Sequence, residues 1–222
     1  MSIKHCEQHK ECERQRRYRR CCAVIFAIIL LLLLIVLIVW LVLRPTKPHF
    51  YLNDLTVVCL NVTTGGAANS YYYSNLAVTM QATLAARNSN ERVGIYFDRA
   101  DVYAEYKGLR ITVPTSLPPV YQGHPDLTVW SPFLSGNNVQ LPPNLAVSIT
   151  QDETAGYLLV TVRVDGWIRF KAGAFITSSY HLRVRCPALL VVNDGRGSYG
   201  SNSGGGAGYF RFQRAAACVV DI

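Results

Sequence analysis

Charge is scarce in this chain and wholly missing from one stretch of it. Asp, Glu, Lys and Arg make up only 16% of the 222 residues, and residues 21–43 contain none of them, nor any His, Asn, Gln, Gly or Pro. At ~1.5 Å of rise per residue a helix over this stretch is ~34 Å long, enough to cross a hydrocarbon core of ~30 Å. A soluble core helix would carry polar positions at a 3.6-residue period, and Ile25 to Val39 has none. A cleaved signal peptide has an apolar core of about 7–15 residues followed by a small-residue site. This run is longer and ends Val39-Trp40-Leu41-Val42-Leu43-Arg44-Pro45. The stretch predicts a transmembrane helix over 21–43.

Signatures of catalysis and of metal binding are missing too. No Gly-x-Ser-x-Gly elbow occurs, and His49, His124 and His181 lie far apart with no ligand spacing. His5, Cys6, His9 and Cys12 match no zinc module, and the tail that carries them is expected to lack structure to hold a metal. Gly195 to Gly200 fits the Gly-x-Gly-x-x-Gly pattern, but Ser201 to Gly206 cannot begin the helix that a pyrophosphate needs. Asp98, Asp101, Glu105 and Asp126 are the carboxylates a glycosidase would draw on. Carboxylates beside turns are mostly surface or capping groups, so the expectation is no enzyme, no metal and no cofactor.

The charge that exists is placed unevenly. Residues 1–20 hold seven basic and three acidic residues, 7 − 3 = +4, half of the chain's +8. Cationic side chains beside a span stay on the cytoplasmic side, so the reading is a basic cytoplasmic tail over 1–20 that meets anionic lipid headgroups, and an outer C-terminal portion. The remaining +4 is dispersed over residues 44–222 and makes no groove for nucleic acid.

Seven cysteines divide along the same line. Cys21 and Cys22, at the membrane edge, are candidates for palmitoylation. Cys59, Cys186 and Cys218 fall outside, where disulfides persist, and Cys186 with Cys218 is the favoured pair because each borders an apolar strand-like run. Asn61-Val62-Thr63 is the one Asn-x-Ser/Thr sequon and would be glycosylated on the outer side.

Beyond a short linker, 44–49, which reads as a stiff Pro-Thr-Lys-Pro spacer, residues 50–222 show β patterning. Leu76, Val78, Met80, Ala82, Leu84 and Ala86 fall on one face of a strand. Val102, Ala104 and Tyr106 lead through Lys107-Gly108 into Leu109 to Val113, a hairpin. Further strands are expected over Leu145–Thr150, Tyr157–Val164 and on to Phe170, Thr177–Arg185, Ala188–Val192 and Cys218–Ile222, with a glycine-rich surface loop over Asn193–Gly208. No amphipathic helix stands out. The expected fold is all-β: an antiparallel β-sandwich, immunoglobulin- or fibronectin III-like, preceded by a single transmembrane α-helix.

Three blocks carry a more specific signal: Asn88-Ser89-Asn90 with Gly94-Ile95-Tyr96-Phe97-Asp98, Pro119-Val120-Tyr121-Gln122-Gly123-His124, and Gly166-Trp167-Ile168-Arg169-Phe170-Lys171-Ala172-Gly173. They resemble the Asn-Pro-Asn…Gly-Ile-Tyr-Tyr-Asp, Pro-Phe-Tyr-Gln-Gly-His and Arg-Trp-Lys-Val-Gly segments of the plant NHL family, named for harpin-induced and race-nonspecific disease-resistance proteins. Ser89 and Phe97 depart mildly from that pattern, and the prolines before Asn144 count against any crossing helix. The resemblance implies a late-embryogenesis-abundant group 2 domain and a plasma-membrane protein of defence and stress response. It implies no catalytic residues, and the motif positions Asn88, Asn90, Gly94, Ile95, Tyr96, Asp98, Tyr121, Gln122, Gly123, Trp167, Lys171 and Gly173 read as fold determinants.

The functional expectation is a tethered recognition, adhesion or signalling module that meets an extracellular ligand, a cell-wall component or protein partners. A membrane-proximal lipid-binding or lipid-transfer domain is the alternative. A type II membrane sugar-modifying enzyme is the third reading.

Overall fold

The computed structural model describes residues 3–43, 45–64, 74–192 and 210–222. The chain divides into two compact units, Met1–Arg44 and Pro45–Ile222.

The first unit is one helix, α1 (Ile3–Leu43). Its window Tyr18–Ile38 is long and apolar enough to cross a membrane. Apolar side chains on every side of a helix call for apolar surroundings, of the kind a bilayer core provides. The tail is not the unstructured segment expected above, because α1 begins at Ile3. Glu, Gln, Lys and Arg dominate residues 7–20 and are all good helix formers.

The second unit is built from β1 (His49–Thr64), β2 (Ser74–Arg87), β3 (Val93–Tyr106), β4 (Leu109–Arg110), β5 (Thr115–Leu117), β6 (Val120–Gln122), β7 (Leu127–Trp130) and β8 (Phe133–Leu141). After the helix α2 (Pro143–Thr154) come β9 (Tyr157–Ala172), β10 (Phe175–Ile176), β11 (Tyr180–Val192), β12 (Phe210–Phe212), β13 (Ala216–Ala217) and β14 (Val219–Asp221). All pairings are antiparallel. One layer centres on β3, β9 and β11, and the other on β1 and β2 with β7 and β8. β12 joins them by pairing with both β11 and β1.

Strict alternation puts the core between the layers. In β9, Leu158, Val160, Val162, Val164, Ile168 and Phe170 are buried while their neighbours face out. The Phe97 ring of one layer meets Phe50 and Trp130 of the other, centroids 6.1 and 5.5 Å apart, edge to face. The hairpin turns at Lys107 and Gly108, both at positive φ (47° and 85°), the geometry of a two-residue primed turn.

Residues 145–150, expected as a strand, lie instead in α2. The proline pair starts the helix rather than preventing it. Pro142 is extended, with φ −58° and ψ 147°, and Pro143 occupies the first turn, where no N–H is needed. Ala146 and Ile149, three apart, form the buried face, and Gly156 ends the helix at φ +79°. The two strands expected on either side of Cys186 are one, β11, running unbroken through Pro187.

Cys186 and Cys218, the favoured pair, form a disulfide with Cα atoms 4.4 Å apart. It fastens the start of β14 to the middle of β11. The glycine-rich segment 193–208, with the fingerprint-like Gly195 to Gly200, lies outside the described residues.

Candidate functional site

All three motif blocks meet at one end of the sandwich. Register places Gly94 opposite Lys171 and Tyr96 opposite Arg169 across β3 and β9. On the other side of β3, Ile95 faces Gln122 and Tyr96 faces Tyr121. Within this cluster the residues separate by the face they occupy.

Those pointing inward tie the chain together. Asn88 is fully buried, and its side-chain amide donates to the carbonyls of Val93 and Gly123, both at 2.8 Å. Its oxygen accepts from the backbone and side-chain nitrogens of Asn90. Asn90 in turn accepts from the Thr46 backbone nitrogen and hydroxyl, each at 2.8 Å, and donates to the Thr46 carbonyl at 3.0 Å. Residues 45–48 are therefore no free spacer: Thr46 is clamped and Pro48 is buried. Gln122, also fully buried, donates to the carbonyls of Ala86 and Asp126 at 2.7 and 2.9 Å. Polar groups this deep are tolerated because their donors are matched to backbone acceptors. Ile95 belongs to the apolar core, and Gly173, at φ +58°, turns β9 into β10.

The outward residues form a row of rings and charges. Tyr96 and Tyr121 lie 4.5 Å apart, and Lys171 sits over both, 5.9 and 5.3 Å from their centroids. Gly94 is a glycine because the Tyr121 ring lies across it; a Cβ there would come within 2.8 Å of the Tyr121 ring carbons. Arg169 holds Asp98 through two parallel bonds of 2.7 and 2.6 Å. That hydrogen bonding, offset in part by burial, keeps the Asp98 carboxyl below its ordinary range.

A register shift between Phe97 and Arg99 adds one residue to β3 opposite β9. With Phe97 and Ala100 buried, the bulge turns both Asp98 and Arg99 outward. Arg99 thus stands beside Trp167, which packs on His181 with centroids 4.9 Å apart. Next in the row, Asp101 faces Asp165, and Asp165 accepts from the Tyr103 hydroxyl at 2.5 Å. Burial, with that hydrogen bond behind it, pushes the Tyr103 phenol up to about 12.

Other expected sites are dispersed. Asn61 is exposed in β1, free for a glycan to reach, and Cys59 is exposed and unpaired among the described residues. Cys21 and Cys22 are exposed on α1. Among the described residues no group of three or more His, Cys, Asp and Glu side chains is placed to hold a metal ion. Asp98, Asp101 and Glu105 are engaged by Arg169, Arg99 and Arg163, and Asp126 caps the Leu127 N–H. Asp165, Arg99 and His181 were not among the motif residues. Asp165 directly precedes the third block in β9, while Arg99 and His181 flank Trp167 on the two neighbouring strands, a placement that only strand register reveals.

Residues 83–186, which contain all three blocks, match a family model described as late embryogenesis abundant protein. NDR1/HIN1-like protein 1 of Arabidopsis thaliana is 40% identical over 220 residues, 99% of this chain and 100% of that relative. The chain belongs to the NDR1/HIN1-like family. NDR1/HIN1-like protein 12 of the same plant is 43% identical over 157 residues, 71% of each chain. A crystal structure of a protein from Archaeoglobus fulgidus overlaps 62% of this chain and 98% of its own at 13% identity, with a TM-score of 0.31, too low to inform the fold. For a family member, the split of the blocks has a plain meaning. Asn88, Asn90, Gly94, Ile95, Gln122, Gly123 and Gly173 build the end of the sandwich that receives the chain, and Tyr96, Asp98, Tyr121, Trp167 and Lys171 decorate its outer face.

Proposed function

We propose that this NDR1/HIN1-like protein is a membrane-anchored, non-catalytic recognition module of plant defence or stress response, with its N-terminus cytoplasmic and its β domain outside the plasma membrane. The observation that carries this is the outer row on β3, β6 and β9. Tyr121 and Trp167 are 45% and 47% exposed although a large core was available to both. Their neighbours are charges already paired or stacked, so the row is ordered before any partner arrives. Aromatic rings held in water by a rigid sheet, with Arg and Lys beside them, have the composition of a contact surface.

Family membership supports the defence setting, and the apolar window of α1 supports the anchor. The arginines before Cys21 support the orientation and a contact with anionic lipid headgroups. No observation favours the lipid-transfer alternative, which asks for an apolar opening where Phe50, Phe97 and Trp130 are packed. Nor does one favour a sugar-modifying enzyme, since three of the four carboxylates it would draw on face guanidinium groups.

The test is full-length protein carrying Tyr121→Ala and Lys171→Ala, expressed in leaf cells challenged with a bacterial pathogen. The reading expects normal delivery to the membrane fraction and a lost defence response. An undiminished response at equal protein level overturns it. Protease protection with glycosidase digestion decides sidedness and the state of Asn61 in one experiment.

A further inference from the structure

We infer that the hollow beside Trp167 is a binding subsite for one uncharged, hydroxyl-rich sugar ring; this rests on the recognition reading and names its ligand class. The hollow has a volume of ≈ 170 Å³ and is lined by Arg99, Asp101, Asp165, Gly166, Trp167 and His181. That is well below the ~300–1,000 Å³ of pockets for drug-sized ligands, so it admits a single small ring or one unit of a longer chain.

Its walls are of two kinds. The indole of Trp167, 47% exposed and inclined 46° to the His181 ring, offers an apolar surface at the mouth. The C–H face of a pyranose stacks on such a ring, whose π face is electron-rich where the C–H groups are slightly positive. Polar atoms of both senses surround it. His181 Nδ1 accepts from Arg183 Nε at 3.0 Å, so the neutral ring carries its proton on Nε2 and donates from there. Arg99 spends Nε and one terminal nitrogen on Asp101, at 3.0 Å each, which leaves its other terminal nitrogen to donate. Asp165 Oδ2 is taken by Tyr103, and among the described residues Oδ1 receives no donor. Alternating donors and acceptors around an aromatic face suit hydroxyl groups, each of which donates and accepts.

Charge narrows the class further. Asp101 and Asp165 are matched by the guanidinium groups of Arg99 and of Arg183, which stands opposite Asp165 and bonds His181, so the rim has no surplus charge to draw an acidic sugar and suits a neutral unit. The hollow is also built in rather than incidental. The β3 bulge delivers Arg99 to its rim, and β3 approaches β9 closely only because residue 166 is glycine, whose Cβ would lie 2.9 Å from Ala100 Cα.

Full-length protein in lipid nanodiscs, titrated calorimetrically with cellohexaose, laminarihexaose and hexagalacturonate, tests this. At least one neutral hexamer should bind at up to millimolar concentration and hexagalacturonate more weakly. Trp167→Ala should weaken the neutral hexamer about tenfold or more, and Trp167→Phe, which keeps a ring, only a few-fold. Asp165→Asn should weaken it several-fold with an unchanged melting temperature. Absence of binding by both neutral hexamers, equal binding by Trp167→Ala, or tighter binding of hexagalacturonate overturns the assignment. If no hexamer binds while Tyr121→Ala with Lys171→Ala still silences the defence response, the sugar subsite fails and the recognition reading stands. If a neutral hexamer binds through Trp167 and that response persists, the recognition reading fails instead.

Discussion

Leu158 and Leu159 are the same residue type on the same strand, one 2% and the other 53% exposed. Neighbouring pairs along β9 repeat the contrast: Val164 beside Asp165, Ile168 beside Trp167, Phe170 beside Lys171. The inner face stores the stability of the fold, and the outer face is free to carry chemistry because it stores little. The exception is at the end where the chain enters, where Asn88, Asn90 and Gln122 place polar groups on the inside. There the fold depends on side-chain amide donors matched to backbone carbonyls, while the Gln122 Oε1 is buried without a partner among the described residues.

Changes on either side of the sheet sharpen this contrast. Leu158→Ala should destabilise the β domain by about 2–5 kcal/mol, whereas Leu159→Ala should stay within ~0.5 kcal/mol, both read from chemical denaturation. Opening the Cys186–Cys218 bridge, which spans a sequence separation of 32, should cost roughly 3–4 kcal/mol in the loop-entropy account. Reduction should therefore shift the melting midpoint of wild type and leave that of Cys186→Ala with Cys218→Ala unmoved. Asn88→Ala removes the partners of two carbonyls and of Asn90, and should cost about 2–3 kcal/mol. It should also speed amide exchange at Thr46 specifically.

The smallest effect belongs to the outer face. Asp98 has its folded pKa depressed below the ordinary value, so its pairing with Arg169 contributes stability that is complete above the unfolded carboxylate range and lost as pH falls through the folded value. The Asp98 and Arg169 side chains are 31% and 39% exposed, so water and salt screen much of the interaction. Below about pH 4, wild type and Asp98→Asn should converge in melting temperature; a constant gap down to pH 2 would show that the pair is not what Asp98 supplies.

Much of the layer architecture was legible in the residues. The alternation from Leu76 to Ala86 is the buried face of β2, and Lys107-Gly108 is the turn that composition announced. What misled was local pattern without its boundaries. Leu145 to Thr150 mixes β-branched and small residues, and only the helix-starting Pro143 and helix-ending Gly156 favour α2. Pattern alone divides this region into 177–185 and 188–192, and tertiary pairing carries β11 through Cys186 and Pro187. At the candidate site the three blocks were visible, but the bulge after Phe97, which turns Arg99 outward beside Trp167, was not, because a one-residue change of parity leaves no mark in composition. The contact between Asn90 and Thr46, 44 positions apart in sequence, carries no local signature at all.

That contact has a mechanical side. Traction applied to the polypeptide at Pro45 meets three hydrogen bonds to Asn90 before any load reaches the first rung of β1 at His49. Asn90 is braced by Asn88, which grips β3 and the Gly123 turn, so the load spreads over several strands instead of peeling one from its edge.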